Sequence, residues 1–250
     1  MSDIIVEVSD RVMSITLNRA EKKNAITNAM YGDIAAALGR ASASPDVNVV
    51  LINGAGADFC AGNDIGMFAE ASSKGGDLSG SHVRAFLIAL STLAKPIVAA
   101  VQGRAIGIGV TMLLHCDLVY VAEDAQLRTP FIDLGLVPEA GSARLLPARI
   151  GHVRSFALFA LNETLSGVRA AEWGVANAAL PAHQVLDAAR AAAQALATKP
   201  PAAVAATKRL MRDAPAIAEA LAEDHSAFIE RLASPEAAAA FAAFAARKPR

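Results

Sequence analysis

The chain has 250 residues, of which 54% are hydrophobic and 19% charged, and its formal net charge is −1. High hydrophobicity with almost no net charge excludes an intrinsically disordered chain. The balance of 23 basic and 24 acidic residues, without a basic cluster, argues against a nucleic-acid partner. Two cysteines, Cys60 and Cys116, are too few to stabilise a chain of this length by disulfide bonds, which excludes a disulfide scaffold.

The apolar composition does not predict a membrane protein. Runs such as Pro96–Val101 and Leu113–Leu118 are short or interrupted by polar residues, and none reaches the roughly 20 continuous residues of a spanning helix. The segment Met1–Ile4 shows no basic region followed by an apolar one, as a signal peptide would. We therefore expect a cytoplasmic globular protein with reduced thiols and no membrane partner.

The first half of the chain alternates strand-like and helix-like segments. Short apolar or β-rich runs predict strands at Ile4–Val8, Val12–Leu17, Val47–Ile52, Pro96–Val101 and Leu118–Ala122. Helical patterns occur between the later runs, at Asn28–Ala43 and Ser81–Leu93. The Gly/Ser-rich stretch Ala71–Ser81 predicts a mobile loop. This alternation is typical of an α/β core.

From about Pro181 onward, helix-forming residues dominate the chain. The predicted helices are Ala188–Ala197, Pro201–Met211, Ile217–Leu232 and Pro235–Ala245. Large apolar residues are few in this Ala-rich tail, and they could form one stripe, made of Phe228, Ile229, Leu232, Phe241 and Phe244. The stripe either packs against the core of the same chain or forms a subunit interface, and the sequence leaves both alternatives open.

Common catalytic motifs are missing from the sequence. It contains no phosphate-binding loop, no Gly-x-Gly-x-x-Gly after a strand, no His-Glu-x-x-His and no Gly-x-Ser-x-Gly. The five histidines lack the spacing of metal ligands. Metal, nicotinamide and serine-hydrolase chemistry are therefore disfavoured.

Glycine-bearing segments follow two of the predicted buried strands, within Leu51–Ile65 and Pro96–Gly109. Each runs from a strand through small residues toward a helix, a geometry that exposes backbone N–H groups at a helix N-terminus. Two such segments facing each other would make an oxyanion hole, which needs only aimed donors. Taken alone, either segment is better explained as a tight turn that requires glycine.

In this order and spacing, the segments resemble the crotonase family, also called the enoyl-CoA hydratase/isomerase superfamily. Asn18–Ala25 resembles the family pattern Asn-Arg-Pro-Glu-x-x-Asn-Ala, with Ala20 in place of proline. Phe59–Ile65 and Lys95–Gly109 match the family's Phe-x-x-Gly-x-Asp and Lys-Pro-x-x-Ala-x-x-x-Gly-x-Ala-x-Gly segments. Later matches continue in register at Cys116–Asp117, Ala125–Leu127, Gly135–Pro138, Gly141 and Leu145. The resemblance covers nearly the whole chain.

The resemblance implies an α/β fold, a crotonase-like spiral of βαβ units with two roughly perpendicular sheets and a helical C-terminal region. Residues 1–195 would form the spiral core for acyl-CoA binding and catalysis, and residues 196–250 a helical trimerisation region. The implied assembly is a homotrimer or a dimer of trimers. The implied substrate is an acyl-CoA thioester, and no separate cofactor or metal is expected because coenzyme A is part of the substrate.

The resemblance also implies a set of site residues. The thioester carbonyl oxygen would accept hydrogen bonds from the backbone N–H groups of Ala61 and Ile108. Ile108 stands where the family usually carries glycine, which keeps the donor but narrows the pocket. The residues implied to bind the substrate are Lys22, Ala25, Ala61, Gly62, Asn63, Asp64, Ile65, Ile108 and Phe131.

Acidic residues decide which reaction the resemblance implies. Hydratases of this family use two glutamates, and the corresponding positions are Thr111 and Phe131, neither of which carries a carboxyl group. Glu139 follows Pro138 in a segment similar to peroxisomal-type Δ3,Δ2-enoyl-CoA isomerases, in which this glutamate is the base. The resemblance thus implies an enoyl-CoA isomerase of fatty-acid β-oxidation. Burial beside Phe131 and Leu136 is expected to raise the pKa of Glu139 toward the range useful for a general base.

Two alternative functions stay open at this point. The first is a hydratase or another crotonase-type enolate enzyme that uses Glu139 differently. The second is a non-catalytic acyl-CoA-binding module, which would be favoured if Glu139 pointed away from the two glycine-bearing segments. Spacing alone would make Glu139 an exposed acid near a helix N-terminus, where the helix dipole favours negative charge.

Overall fold

The computed structural model of this chain describes residues 2–73, 76, 78 and 80–246. Its strands are β1 (Ile4–Ser9), β2 (Val12–Leu17), β3 (Val49–Gly54), β4 (Ile97–Val101), β5 (Arg104–Ile106), β6 (Leu118–Ala122), β7 (Gln126–Arg128), β8 (Leu165–Ser166) and β9 (Ala178–Leu180). Its helices are α1 (Asn28–Ala43), α2 (Ile65–Ser73), α3 (Val83–Thr92), α4 (Ile108–Thr111), α5 (Ser142–Ile150), α6 (His152–Ala160), α7 (Gly167–Glu172), α8 (Ala182–Ala197), α9 (Pro201–Met211), α10 (Ala214–Leu232) and α11 (Pro235–Ala245).

Two sheets form within the described residues. The larger has the strand order β1-β2-β3-β4-β6-β9, in which β1 and β2 are antiparallel and the other neighbouring pairs are parallel. The smaller has the order β5-β7-β8. The central strands β3 and β4 are buried almost throughout, which explains their nearly continuous apolar sequence. Because β3 and β4 are parallel, the segments that leave their carboxyl ends start at the same edge of the sheet.

The helices cover the larger sheet. The Thr27 hydroxyl caps α1 by accepting from the Met30 N–H at 3.3 Å, and apolar residues at helical spacing give α1 one buried face, which includes Ile34, Leu38 and Ala41. Helix α1 packs against α3, and α8 packs across β3, β4 and β6. No helix in the described part of the chain is both long and apolar enough to cross a membrane.

The mixed α/β architecture predicted from the sequence is confirmed. The predicted strands and helices are present, with most bounds shifted by at most two residues, but α8 begins at Ala182 rather than Ala188 and α10 at Ala214 rather than Ile217. Strands β5, β7, β8 and β9 were not predicted because runs of two or three residues carry no measurable periodicity. Within the predicted loop Ala71–Ser81, residues 71–73 end α2, and residues 74, 75, 77 and 79 lie outside the described residues.

The apolar stripe of the C-terminal tail packs against the chain itself. Phe228, Leu232 and Phe241 belong to the hydrophobic core, while Phe244 is half exposed. Helix α10 contacts α3 and α5, and α11 contacts α2. These contacts support the first of the two alternatives for the stripe. The expected boundary at residue 196 falls in the last turn of α8, and the trimerisation role of residues 196–250 stays a prediction.

Candidate active site

The two glycine-bearing segments meet beyond the ends of β3 and β4. The Cys60 N–H donates to the Arg104 carbonyl at 2.9 Å, and the Ile106 N–H donates back to the Cys60 carbonyl at 2.9 Å. A Cβ atom on Gly109 would lie 2.8 Å from the Cys60 carbonyl oxygen, so only glycine permits this approach. The segments therefore face each other, as expected from the sequence.

The backbone N–H of Ile108 is available at this junction. Ile108 is the first residue of α4, and Gly107 before it has a φ of 54°, in the region that favours glycine. The Val110 and Thr111 N–H groups both donate to the Gly107 carbonyl, whereas the Ile108 N–H has no hydrogen-bond partner among the described residues. Ile108 therefore supplies a free donor at a helix N-terminus.

The structure does not support Ala61 as the second donor. The Ala61 N–H already donates to the Lys23 carbonyl at 2.9 Å, so it is not free to bind a substrate oxygen. The N–H of Ala61 points toward the loop that carries Lys23 rather than toward the site, and the positive φ of Gly62 changes the backbone direction before Asn63. The sequence pattern located this segment, but the N–H that it indicated is engaged within the fold.

A free N–H in that segment belongs to Asn63. Ile26 bridges the two neighbours of Asn63, donating to the Gly62 carbonyl at 2.8 Å and accepting from the Asp64 N–H at 2.9 Å. The Asn63 N–H therefore points away from Ile26, and it has no partner in the part of the chain that the structure describes. Its side-chain Oδ1 accepts a hydrogen bond from the Tyr31 hydroxyl, which orients the residue. Asn63 and Ile108 are thus candidate oxyanion donors.

Glu139 lies against the same junction. Its side chain is only 9% exposed, and the Thr111 hydroxyl donates to Oε1 at 2.5 Å. Thr111 lies one turn beyond Ile108 in α4, so this contact holds the carboxyl group close to the Ile108 segment. The side chain is not an exposed acid at a helix N-terminus, which removes that alternative.

Burial raises the pKa of Glu139 to about 7. The hydrogen bond from Thr111 lowers it, and the negative charge of Asp224 raises it. Asp224 is a buried residue of α10 that faces the start of α5. Burial raises the pKa of Asp224, hydrogen bonds from the backbone N–H groups of residues 141–143 lower it, and the pKa is about 6. The sequence did not indicate that Thr111 and Asp224 influence the pKa of Glu139, since these contacts join segments far apart in the chain.

Two cavities adjoin the junction. The larger has a volume of about 680 Å³, and its lining includes Ala61, Gly62, Asn63, Ile65 and Phe131, all predicted to bind the substrate. The smaller has a volume of about 30 Å³ and is lined by Glu139 together with apolar side chains of α3 and α10. Asn63 and Phe228 line both cavities. One candidate donor, Asn63, therefore lies between the two cavities, and the candidate base Glu139 lines the small one.

Four of the predicted binding residues lie outside the lining of the large cavity: Lys22, Ala25, Asp64 and Ile108. Lys22 is exposed in a 3₁₀ turn, Ala25 is half-buried, and Asp64 pairs with Arg19 at 2.8 Å and accepts from the Gly66 N–H. Asp64 thus stabilises the backbone of the segment, and the binding roles of Lys22 and Ala25 stay predictions. Among the described residues, no cluster of three or more His, Cys, Asp or Glu side chains could hold a metal ion.

Known proteins resemble this chain over most of its length. A family model described as enoyl-CoA hydratase/isomerase matches residues 7–249. The 1,2-epoxyphenylacetyl-CoA isomerase of Escherichia coli K12 is 34% identical over 204 residues, 80% of this chain and 78% of that protein. Enoyl-CoA delta isomerase 2 of Rattus norvegicus is 35% identical over 181 residues, 71% of this chain and 46% of that protein. The solved structure of Pseudomonas aeruginosa OdaA has a TM-score of 0.93 at 46% identity, covering 99% of this chain and 100% of that one.

Proposed function

Since the chain belongs to the enoyl-CoA hydratase/isomerase family and has the crotonase fold, we propose that it is an isomerase that converts a 3-enoyl-CoA into trans-2-enoyl-CoA. The observation that carries this proposal is the position of Glu139, a buried carboxyl group in contact with Thr111 beside the free N–H of Ile108. An enzyme of this family acts on an acyl-CoA thioester, and one well-placed base is enough to move a double bond.

The two free N–H groups stabilise the intermediate. In the proposed complex the thioester carbonyl oxygen accepts hydrogen bonds from the N–H groups of Asn63 and Ile108. When a proton leaves C2, negative charge moves onto that oxygen as the dienolate forms. Donors fixed by the fold stabilise this charge without reorganising, which lowers the barrier to proton removal.

Glu139 carries the proton in both directions. As the carboxylate it removes the C2 proton, and the electron pair of that C–H bond becomes the C1–C2 double bond of the dienolate. When the carboxylic acid delivers the proton to C4, the C3–C4 π electrons form the new C–H bond, the C1–C2 π electrons move to C2–C3 and the thioester carbonyl re-forms. The C3–C4 double bond becomes a single bond, so atoms and charge balance with no water consumed. One carboxyl group can serve C2 and C4 because both carbons lie on the same side of the allylic unit.

Two residues argue against efficient hydration. Thr111, at a position where hydratases of the family carry glutamate, uses its hydroxyl proton to bind Glu139. Phe131, at the other such position, is buried and packs against Phe159 with ring centroids 6.3 Å apart, where a water-activating carboxylate would be required. A hydratase or another enolate enzyme of the family stays the alternative, and a non-catalytic acyl-CoA-binding module is the second.

The assay that tests the proposal compares two substrates. Carbon atoms beyond C4 extend from Glu139 into the small cavity, which holds about two water-sized groups, so a short acyl chain is the appropriate probe. We expect purified protein to convert 3-hexenoyl-CoA to trans-2-hexenoyl-CoA and to leave trans-2-hexenoyl-CoA unhydrated. Hydration of the 2-enoyl ester at a comparable kcat/KM would establish the hydratase instead, and tight binding of both esters without turnover would establish the binding module.

Isomerisation is expected to decline as the pH falls below about 7. Only the ionised carboxylate removes a proton, and burial raises the pKa of Glu139 to about 7. The kcat/KM for 3-hexenoyl-CoA should be level at alkaline pH and fall about tenfold per pH unit well below the midpoint. Measuring kcat/KM across this range at constant ionic strength checks the expectation.

Two variants should move the midpoint in opposite directions. Thr111→Val removes the hydrogen bond that lowers the pKa of Glu139, so the midpoint should rise. Asp224→Asn removes a negative charge that raises it, so the midpoint should fall. A profile that neither variant shifts would assign the titration to another group.

Assembly and location stay part of the proposal. Large apolar side chains are exposed on and just after α6, at Val153, Phe156 and Leu161. These side chains support the expected homotrimer or dimer of trimers, because such a surface favours contact with a second copy. The cytoplasmic location and the place in fatty-acid β-oxidation stay predictions from the sequence.

A further inference from the structure

A buried histidine lies directly behind the candidate base. His115 ends the 3₁₀ turn Met112–His115, which continues from α4, and only 1% of its surface is exposed. Its Nε2 atom lies 2.8 Å from the carbonyl oxygen of Ala140, the residue after Glu139. Its Nδ1 atom lies 3.4 Å from Nη2 of Arg212, which follows α9. The ring therefore connects the Glu139 loop to the C-terminal helices.

The two neighbours determine which ring nitrogen carries the proton. A guanidinium group donates hydrogen bonds and cannot accept them, so Nδ1 must be the acceptor from Arg212. Nε2 then carries the hydrogen and donates to the Ala140 carbonyl. Burial and the positive charges of Arg212, Arg149 and Lys208 lower the pKa of His115 to about 4, so the ring is neutral at physiological pH.

The loop that His115 binds has an unfavourable backbone conformation. Ala140 has a φ of 62° although it is not glycine, and Gly141 has a φ of 70°. Such a conformation at alanine persists only where neighbouring groups hold it in place. His115 holds the carbonyl side of this turn, and the peptide N–H groups on its other side face Asp224.

The same short segment carries the candidate oxyanion donor and both contacts to the Glu139 loop. Ile108 offers its free N–H, Thr111 donates to the Glu139 carboxyl group, and His115 donates to the Ala140 carbonyl. Residues 108–115 are continuous helix, α4 followed by the 3₁₀ turn. Contacts from this one element therefore fix the distance between the Glu139 carboxyl group and the Ile108 N–H.

We propose that His115, as the neutral Nε2–H tautomer fixed by Arg212, is a positioning residue that holds the Glu139 loop in register with the Ile108 N–H. This inference rests on the proposed function, because it concerns the placement of the proposed base. His115 touches neither the substrate nor the reacting atoms. Its contribution is to keep the carboxyl group within reach of C2 and C4, where a displacement of about 1 Å can cost 10²-fold in rate.

A matched pair of variants tests the donor. Glutamine places an amide N–H near the position of Nε2, whereas methionine has similar bulk and no donor. We expect His115→Met to lower kcat for 3-hexenoyl-CoA by about 10- to 100-fold with little change in KM, and His115→Gln to stay within about threefold of the unmodified protein. The midpoint of the acidic limb of the pH profile should fall in His115→Met, because a released Glu139 gains contact with water.

The outcomes separate this inference from the proposed function. Isomerase activity that is lost in Glu139→Gln but unchanged in His115→Met would overturn the positioning role alone. Equal losses in His115→Met and His115→Gln, in proportion to a lower Tm, would show a purely structural role. An unmodified protein without isomerase activity would overturn the proposed function and the inference together.

A spectroscopic measurement keeps the inference testable if His115→Met does not fold. The imidazole ¹⁵N chemical shifts of the unmodified protein distinguish a protonated from an unprotonated ring nitrogen, and His115→Gln assigns the signals. The expected spectrum has the proton on Nε2, with no change across the pH range of the activity midpoint. A proton on Nδ1, or a ring that titrates with activity, would overturn the proposal.

Discussion

Glu139→Gln is expected to lower kcat for 3-hexenoyl-CoA by about 10⁴-fold, the upper end of what a general base contributes. Glutamine keeps the shape of the side chain and can still accept the hydrogen bond from Thr111, so the loop should keep its position. It cannot remove a proton from C2 or deliver one to C4. The KM and the affinity for saturated hexanoyl-CoA should change little, because the proposed oxyanion donors are backbone groups elsewhere in the site.

Asp133→Asn is the matched control for this variant. Asp133 also lines the large cavity, and it accepts a hydrogen bond from Asn162 at 2.5 Å, but it does not line the small cavity beside Glu139. We expect the kcat of Asp133→Asn to stay within about threefold of the unmodified protein, since a carboxyl group away from the reacting carbons contributes little to proton transfer. Retained isomerisation in Glu139→Gln would contradict the assignment of Glu139 as the base. A loss of comparable size in Asp133→Asn would instead indicate that Asp133 is the base.

The parts of the fold that could be predicted are those with a repeated physical signal. Buried parallel strands such as β3 and β4 need continuous apolar residues, and an amphipathic helix such as α1 needs apolar residues at helical spacing, so both leave a pattern in the sequence. The meeting of the two glycine-bearing segments could also be predicted, because adjacent parallel strands end at one edge of a sheet. The short strands β5 and β7 leave no such pattern, although they position the second segment.

The site was predicted less well because its decisive features are directions and long-range contacts. Gly62, with a φ of 94°, interrupts the extended backbone between Ala61 and Asn63, so a motif that locates Phe59–Ile65 does not show that the Ala61 N–H is engaged and the Asn63 N–H is free. The burial of Glu139 was expected, but the two neighbouring groups that adjust its pKa were not. Thr111 and Asp224 approach it from segments distant in the chain, and no local pattern encodes those contacts.

Ile108→Pro is expected to lower kcat by about 10²- to 10³-fold, the usual cost of losing one oxyanion-hole donor, equivalent to about 3 kcal/mol. Proline has no N–H, and the N–H of Ile108 has no partner among the described residues, so the change removes a donor without breaking a hydrogen bond of the fold. Position 108 is the first residue of α4, where the fixed φ of proline is compatible with a helix. Gly107 before it has no Cβ to clash with the ring.

Ile108→Ala separates the donor from the side chain. Alanine keeps the N–H but loses a fully buried side chain, which costs about 2–5 kcal/mol of stability in typical cores. Both variants lose that side-chain packing, so the free energy of unfolding should fall in both, and kcat should be measured at a temperature where both are folded. We expect kcat of Ile108→Ala to fall less than about tenfold. Equal activity in the proline and alanine variants would show that the N–H of Ile108 does not stabilise the dienolate. The N–H of Asn63 would then be the one remaining candidate donor to the dienolate oxygen among those named above.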